Sequence, residues 1–443
     1  MRKATARHLV LATLALAWFG LVARSITYRD ALWFRYYVVD LVWLQYVFLA
    51  IAIFGGTVLL LGVLVRRPQP ARWETWPPVT VIIPAKDEVR VIEGAVRSVC
   101  TQEYQGRLEV IVVDDRSTDG TGELLDRLRS EMGFTVVRTP AGTVGKASAL
   151  EVGIAHSRGT LIAVFDADTR LGPDVLTRMV PHLADPRVGA VQGRRLVYNG
   201  HRNWLTRVQE DEYRVIQTLL QRARQAVGGF TCLAGNGLIV RRDVLDALGG
   251  WNEEALTEDI DLTVRLHLAG WEVRYCYDAQ IWEEGVVALR DLMRQRERWF
   301  EGSLLCLGDY LPQILFGRLP LLRRVDMLFF LGGSLLSAFV MLTGYVYAVI
   351  GFAYPAVVYL QLPAEVMGMA SGVLMLGLVV AMTAEVGVRP AGLMGVLFRW
   401  TLFSWHTLVI VPMAVRRYVH TAFTGHKDWR KTSHEGARPD SPG

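Results

Sequence analysis

The chain has 443 residues, 51% hydrophobic and 21% charged, with 48 Lys and Arg against 43 Asp and Glu for a formal net charge of +5. A mean hydropathy of +0.25 is too apolar for an ordinary soluble globular protein, and the charge content is too high for a channel made only of membrane helices. The composition demands apolar segments joined to a polar domain.

The first apolar block, HLVLATLALAWFGLVA (8–23), follows Arg2, Lys3 and Arg7. It reads as a signal peptide or as a retained span. No small-residue cleavage site precedes Tyr28, and LVAR runs on into charge, so a retained span is expected. The second block, 36–65, is long enough to cross the hydrocarbon core. After a polar middle come 327–360, 366–384 and 392–415, which brings the expected spans to four or five. The 327–360 block is either one tilted helix or a helix with a re-entrant piece broken near Pro355. Basic residues flank the spans in MRKATAR, in RRPQPAR (66–72) and in the tail after 415, which places the middle domain on the cytoplasmic side of a plasma membrane. The surplus positive charge is therefore topological. No aromatic-interleaved basic face or zinc spacing points to nucleic acid. Cys100, Cys232, Cys276 and Cys306 lack C-x-x-C spacing and suit free thiols.

Between about 75 and 305 the pattern alternates strand and helix. VTVIIPA (79–85), LEVIVVDD (108–115), LIAVFDAD (161–168) and GLIVRR are short apolar, β-rich runs, with a helix expected over VIEGAVRSVCTQ. Such a series predicts a mostly parallel sheet with helices on both faces, whose ligand lies at the carboxyl ends of the strands. Three of the runs finish in polar side chains: PAKDE (84–88), DDRSTDGT (114–121) and DADT (166–169). Parallel neighbours would bring these carboxylates to one edge.

Gathered carboxylates repel and raise one another's pKa unless a cation joins them. Asp166 and Asp168 thus suggest a clamp for Mg²⁺ or Mn²⁺ carrying a diphosphate, although a strand ending in a solvated turn gives the same D-x-D. Further on, ALTEDIDLTVRLHLAGW (255–271) reads as an amphipathic helix with Thr257 as N-cap and Glu258 and Asp259 in its first turn; ordinary capping would explain the same residues. LMRQRERWFEG (292–302) puts Gln295, Arg298 and Trp299 on one helical turn, which an interfacial basic-aromatic helix would also do.

In this order the motifs PAKDE, DDRSTDGT, GKASAL, DAD, TEDIDL and QRERW resemble those of the membrane-embedded family 2 glycosyltransferases, which include cellulose, hyaluronan and poly-N-acetylglucosamine synthases. The resemblance runs from about Val79 to Gly302. Overall length and DPRVGAVQG…EDEY look most like the poly-β-1,6-N-acetylglucosamine synthase type. PAKDE, DDRS and LAGNG differ from the commoner forms of these motifs without removing a charge the chemistry needs.

The resemblance implies a GT-A-type, Rossmann-like α/β domain (75–305) inserted between transmembrane helices in 1–70 and 326–418. Interfacial helices over 306–325 and a basic tail over 419–443 complete the expected layout. It implies that Glu88, Asp114, Asp115 and Lys146 cradle uridine and diphosphate, and that Asp166 and Asp168 hold the metal. Asp259 is then the general base, Glu258 lies beside it, and Gly235 and Asn236 approach the acceptor. Gln295, Arg298 and Trp299 stand at the mouth of a polymer channel. A single base and in-line attack give inversion. The expected activity is a processive β-glycosyltransferase using UDP-N-acetylglucosamine, with UDP-glucose second. The alternatives are a non-processive enzyme adding one sugar to a lipid and a catalytically silent scaffold. Four or five spans make a thin pore wall, so a small accessory subunit or a homo-oligomer is a candidate partner. The segment KDWRKTSHEG resembles a tail that closes over nucleotide in some relatives, with a disordered tail as the other reading. His406, inside the last apolar block, is a functional candidate or a hydrogen-bonded structural residue.

Overall fold

The computed structural model describes residues 42–65, 70, 73–142, 145–353, 372, 375–383, 387, 390–425, 434 and 436. The span expected at 8–23, the end of 327–360 with Pro355 and part of 366–384 lie outside the described residues.

The elements run α1 (Val42–Leu64), β1 (Val79–Ala85), α2 (Ile92–Cys100), β2 (Leu108–Asp114), α3 (Thr121–Met132), β3 (Thr135–Arg138), α4 (Lys146–Ala155), β4 (Leu161–Val164), β5 (Arg170–Leu171), α5 (Val175–Met179) and β6 (Val188–Val197). They continue with α6 (Trp204–Asp211), α7 (Thr218–Val227), β7 (Leu238–Arg241), α8 (Arg242–Ala247), α9 (Glu258–Leu268), β8 (Glu272–Glu283), α10 (Leu289–Phe316), α11 (Leu321–Ala353), α12 (Pro390–Ser404) and α13 (Thr407–Thr424).

Among the described residues eight strands form one sheet in the order β3-β2-β1-β4-β7-β6-β8-β5. The half from β3 to β4 is parallel, as the βαβ pattern predicts. The other half is not. β7, the GLIVRR run, lies antiparallel to both β4 and β6, and β5 lies antiparallel to β8, so the sheet is mixed. Apolar residues alone do not specify strand direction. A fully buried strand shows the same continuous run either way, and the direction of β7 follows from the long excursion through α6 and α7 that returns to it from the opposite end.

Alternating residues of β1 explain the two-sided core. Val81 and Ile83 pack with α2, α3 and α5 on one face, while Ile82 joins Leu150 of α4 and Leu262 of α9 on the other. The sheet therefore fixes the strand ends, and with them the site. α9 packs on α10, where Ile260 and Val264 share a cluster with Cys306 and Ile314. α10 in turn packs on α11 and α13 through Leu304, Leu305, Ala338, Val411 and Val415. At the other side α1 meets α7 and α12 through Leu59, Leu219, Ala223 and Val396.

The stretch 306–325 supplies the last turns of α10, which continues through Pro312, and the start of α11 after a break at Gly317–Pro320. Among the described residues Gly392–Thr424, which takes in most of α12 and all of α13, is long and apolar enough to cross a membrane, and Ile53–Leu64 is an apolar stretch at the end of α1. All four cysteines are free thiols.

Candidate active site

The parallel register brings Ala85 of β1 beside Asp114 of β2, and Val164 of β4 beside Ile82 of β1, so the loops after these strands open at one edge. The cleft at that edge is lined by Glu88, Asp115, Lys146, Asp166 and Asp168, and also by Gly235, Glu258, Asp259, Gln295, Arg298 and Trp299. Two expected site residues are not among its walls. Asp114 is buried and accepts a hydrogen bond from the Ser117 N–H at 3.0 Å, which shapes the loop after β2. Asn236, 1% exposed, supports the cleft from behind. Its Oδ1 accepts from the Asp166 N–H (3.1 Å) and the Thr169 hydroxyl (2.9 Å), and its Nδ2 donates to Glu283 (3.0 Å).

Strained loops hold the first carboxylates. Asp87 and Arg116 are left-handed at φ 52° and 56°, a conformation that costs energy for residues with a Cβ and that surrounding structure must enforce. The Asp87 side chain accepts from the Thr118 N–H at 2.7 Å, and its own N–H donates to the Ser117 hydroxyl at 2.9 Å. These bonds lock the loop after β1 to the loop after β2.

Lys146, the first residue of α4, reaches across the cleft. Its ammonium lies 2.6 Å from Asp166 and 3.4 Å from Glu258, and donates to the Gly235 carbonyl at 2.8 Å. Burial opposes its charge, but Asp166 and Glu258 outweigh that and hold it protonated well above its ordinary range. Gly235 makes this approach possible: at φ +70° an added Cβ would stand 3.1 Å from Asp259 Oδ2 and 3.4 Å from Lys146 Nζ.

Asp259 sits in the first turn of α9 and accepts from the Ile260 N–H at 2.9 Å. Burial, with the neighbouring Glu258 carboxylate, pushes its carboxyl up to about 6, against the pull of Lys146. Thr257 occupies the N-cap position with extended backbone, but its hydroxyl makes no capping bond. The hydroxyl packs against Gly302 of α10 instead, where an added Cβ would meet it at 2.4 Å. That close approach sets the motif on α10 against the start of α9. Arg296 pairs with Glu212 at 2.6 Å and stacks over the Trp299 ring at 4.5 Å, which fixes the indole. Gln295 Oε1 is buried without a hydrogen-bond partner among the described residues, an acceptor left for a ligand.

The sequence reading missed Glu283, Glu284 and Arg195, and touched His434 only as part of the segment KDWRKTSHEG. Glu283 and Glu284 line the cleft at the end of β8, as do Arg195 and His434. Arg195 grips Glu283 in a two-pronged pair (2.8 and 2.6 Å), and despite burial this holds the Glu283 carboxyl below its ordinary range. The Glu284 N–H donates to Asp168 at 2.9 Å. The run EVRYCYDAQIWEE carried the same signal as LIAVFDAD, a β-rich stretch closing on two acids. His434 places Nδ1 3.0 Å from Glu88 and Nε2 3.7 Å from Asp168. Burial disfavours its charge, yet Asp168 and Glu88 lift its pKa to about 9.

Asp168 is itself raised to about 6, mainly by burial, with Glu283 and Asp166 adding to the rise against His434. Carboxylates so crowded are the donor set that a hard divalent cation relieves. Among the described residues no three His, Cys, Asp or Glu side chains are already gathered in ligating geometry. The Lys146 and His434 cations stand on Asp166 and Asp168 instead. Asp166 and Asp168 are the pair whose oxygen chemistry fits Mg²⁺ or Mn²⁺ in place of those cations. His406 lies away from the cleft, between α12 and α13, stacked on Phe403 at 4.1 Å with Nδ1 on the Phe403 carbonyl.

A Rossmann-like half-sheet with acids at its strand ends, followed by an acidic helix start and a Trp-bearing helix, defines a glycosyltransferase of the GT-A type. The chain belongs to glycosyltransferase family 2: the model described as "Glycosyltransferase like family 2" matches residues 77–302. It is similar to a beta-monoglucosyldiacylglycerol synthase of Nostoc sp., with 39% identity over 292 residues, 64% of this chain and 62% of that one. A beta-monoglucosyldiacylglycerol synthase of Synechocystis sp. is 35% identical over 377 residues, 83% of this chain and 77% of that one. The chain thus matches somewhat under two thirds of the Nostoc protein's length and over three quarters of the Synechocystis protein's. In fold it is similar to a Pyrobaculum calidifontis mannosyltransferase solved with GDP-Man and Mn²⁺, at TM-score 0.54 and 20% identity, covering 89% of this chain and 99% of that one.

Proposed function

We propose that this glycosyltransferase transfers a single glucose from a nucleoside-diphosphate sugar, UDP-glucose first, to the free hydroxyl of a membrane diacylglycerol, with inversion to a β-linkage. The observation that carries the chemistry is Asp259, a half-buried carboxylate in the same cleft as Asp166, Asp168 and Trp299. The relatives named for glucosyl-diacylglycerol support this sugar and acceptor over the N-acetylglucosamine polymer expected from sequence.

In this reading the acceptor hydroxyl lies against Asp259, which takes its proton as the oxygen attacks the anomeric carbon and the bond to the diphosphate breaks. Gln295 accepts a sugar hydroxyl and Trp299 offers an apolar platform beneath the acceptor. Arg298 meets the departing diphosphate, and Glu88 and Asp115 line the nucleotide side. Mg²⁺ or Mn²⁺ held by Asp166 and Asp168 would neutralise the leaving group. Lys146 holds Asp166 and Glu258 in register. Glu258 is held by Lys146 and Glu283 by Arg195, which leaves Asp259 as the base of a single displacement, the simplest course.

The layout in this reading is that of the sequence: spans in 1–70 and 326–418, a cytoplasmic catalytic domain over 75–305, interfacial residues 306–325 and a tail over 419–443, all at the plasma membrane. The apolar segment Gly392–Thr424 supports membrane attachment. A processive reading, with an accessory subunit or second copy completing a channel, draws on Gln295, Arg298 and Trp299 lining the cleft beside Asp259.

The deciding experiment uses the full chain in nanodiscs with Mn²⁺ or Mg²⁺. Radiolabelled UDP-glucose, UDP-N-acetylglucosamine and GDP-mannose are supplied separately, with and without diacylglycerol. A single glucosyl-lipid product is expected. A long polymer would establish the processive reading instead, and nucleotide release that ignores diacylglycerol would remove the lipid acceptor.

A further inference from the structure

Outside the cleft, α10 and α13 leave a groove of about 690 Å³ between them. Its cationic wall is Arg290, Arg294, Arg298 and Arg417, and among the described residues Glu297 is the one carboxylate lining it. Its apolar wall is Leu289, Met293 and Met413. Arg290, Arg294 and Arg298 follow one another at four-residue steps, so they form a stripe along one face of α10, with Leu289 and Met293 as the stripe beside it. The groove is therefore two-sided in chemistry along its length.

Some of this charge is already answered within the protein. Arg417 lies 2.8 Å from Glu301 and 3.6 Å from Glu297, and Arg294 lies 3.4 Å from Asp291. Arg290 and Arg298 have no carboxylate partner among the described residues, so the wall keeps a net positive charge after Asp291, Glu297 and Glu301 are counted. The apolar wall is exposed as well: Leu289 is 57% and Met413 39% open to the surroundings. Met413 and Arg417 stand one turn apart near the end of the apolar segment Gly392–Thr424. There an apolar stretch gives way to Arg416 and Arg417, the place where a bilayer's hydrocarbon gives way to head groups.

We propose that this groove binds an anionic phospholipid, its phosphate on Arg290 and Arg294 and the start of an acyl chain against Leu289, Met293 and Met413. Guanidinium forks match phosphate oxygens, and a neutral head group or diacylglycerol has no use for an arginine stripe. Free phosphate or nucleotide has no use for the apolar wall. Arg298 lines both this groove and the catalytic cleft, so an occupant of the groove lies directly beside the acceptor end of the site. A bound anionic lipid thereby orients the cleft mouth toward the bilayer and raises transfer. The inference rests on membrane attachment and is independent of which sugar or acceptor is used.

The test is native mass spectrometry of the full-length protein in detergent, offered phosphatidylglycerol and phosphatidylcholine together, for the wild type and for Arg290→Gln/Arg294→Gln. The wild type should retain phosphatidylglycerol preferentially, and the double variant should lose on the order of tenfold of that preference while UDP binding and thermal unfolding stay unchanged. In phosphatidylcholine nanodiscs, added phosphatidylglycerol should stimulate wild-type transfer and leave the variant unaffected. If the double variant does not fold, Leu289→Glu, which sets a carboxylate at an exposed groove position, must lower the same preference. Equal retention of both lipids by the wild type, an undiminished preference in a folded variant, or full displacement of phosphatidylglycerol by inorganic phosphate overturns the proposal. The lipid-retention readout does not depend on sugar transfer, so failure here and failure of the proposed activity are separate results.

Discussion

At the end of the cleft we assign to the nucleotide, side chains hang from the carboxyl ends of three adjacent parallel strands, β2, β1 and β4. At the acceptor end they come from the first turn of α9, from the middle of α10 and from the antiparallel-flanked half of the sheet through Arg195 and Glu283. The first half is a consequence of strand direction: a parallel pair must deliver both carboxyl ends to the same edge. The second half is held by packing of separate elements, Gly302 on Thr257 and Asn236 between Asp166 and Glu283. Metal and nucleotide chemistry can therefore be inherited with the sheet, whereas the acceptor site depends on how helices meet.

The comparison is tested most severely by Asp259→Asn. Loss of the base should lower transfer by roughly 10³-fold while UDP binding, measured by calorimetry with Mn²⁺, remains within error of wild type. Equal loss of both would mean that the two ends are one cooperative unit.

Next comes Arg195→Gln, which leaves Glu283 buried without its partner. Both side chains of the pair are 11% exposed, so the change should destabilise the fold by about 3 kcal/mol or more. Thermal unfolding is the check. An unchanged midpoint would show that Asn236 alone suffices to hold Glu283.

His434→Ala removes the imidazolium that stands on Glu88 and Asp168, so it should tighten Mn²⁺ binding by about tenfold and leave the base intact, seen as a metal titration shifted to lower concentration at constant maximal rate. A lowered maximal rate with unchanged metal affinity would place His434 on the acceptor side of the comparison.

The smallest expected effect is on pH. Asp259 is held near 6 and must be ionised to accept a proton, so transfer should fall as pH drops through about 6, tenfold per unit below it. Glu258→Gln removes the like charge that helps raise it and should move this acid limb to lower pH. A limb that stays put would assign it to another group.

Much of this was legible in the residues. LIAVFDADTR announces a buried strand delivering two acids, and LMRQRERWFEG announces a helix with Gln295, Arg298 and Trp299 on one face. What was not legible has a physical cause in each case. The reversed direction of β7 leaves no trace in an apolar run buried on both faces. Asn236 looks like a ligand-facing residue because it sits between glycines, yet its amide is consumed by three partners behind the cleft. His434 is separated from Glu88 by 346 positions, and no periodicity links them.

The sequence by itself determined the elements, the acidic strand ends and the family's motif order, because strand and helix patterns and turn chemistry are local. Only the tertiary structure decided which carboxylates share a cleft, that Lys146 bridges Asp166 and Glu258, that Arg195 neutralises Glu283 and that α10 presents a two-sided groove to α13. Those outcomes depend on burial and on distances between parts of the chain far apart in sequence, and burial is what turns an ordinary aspartate into one poised near 6.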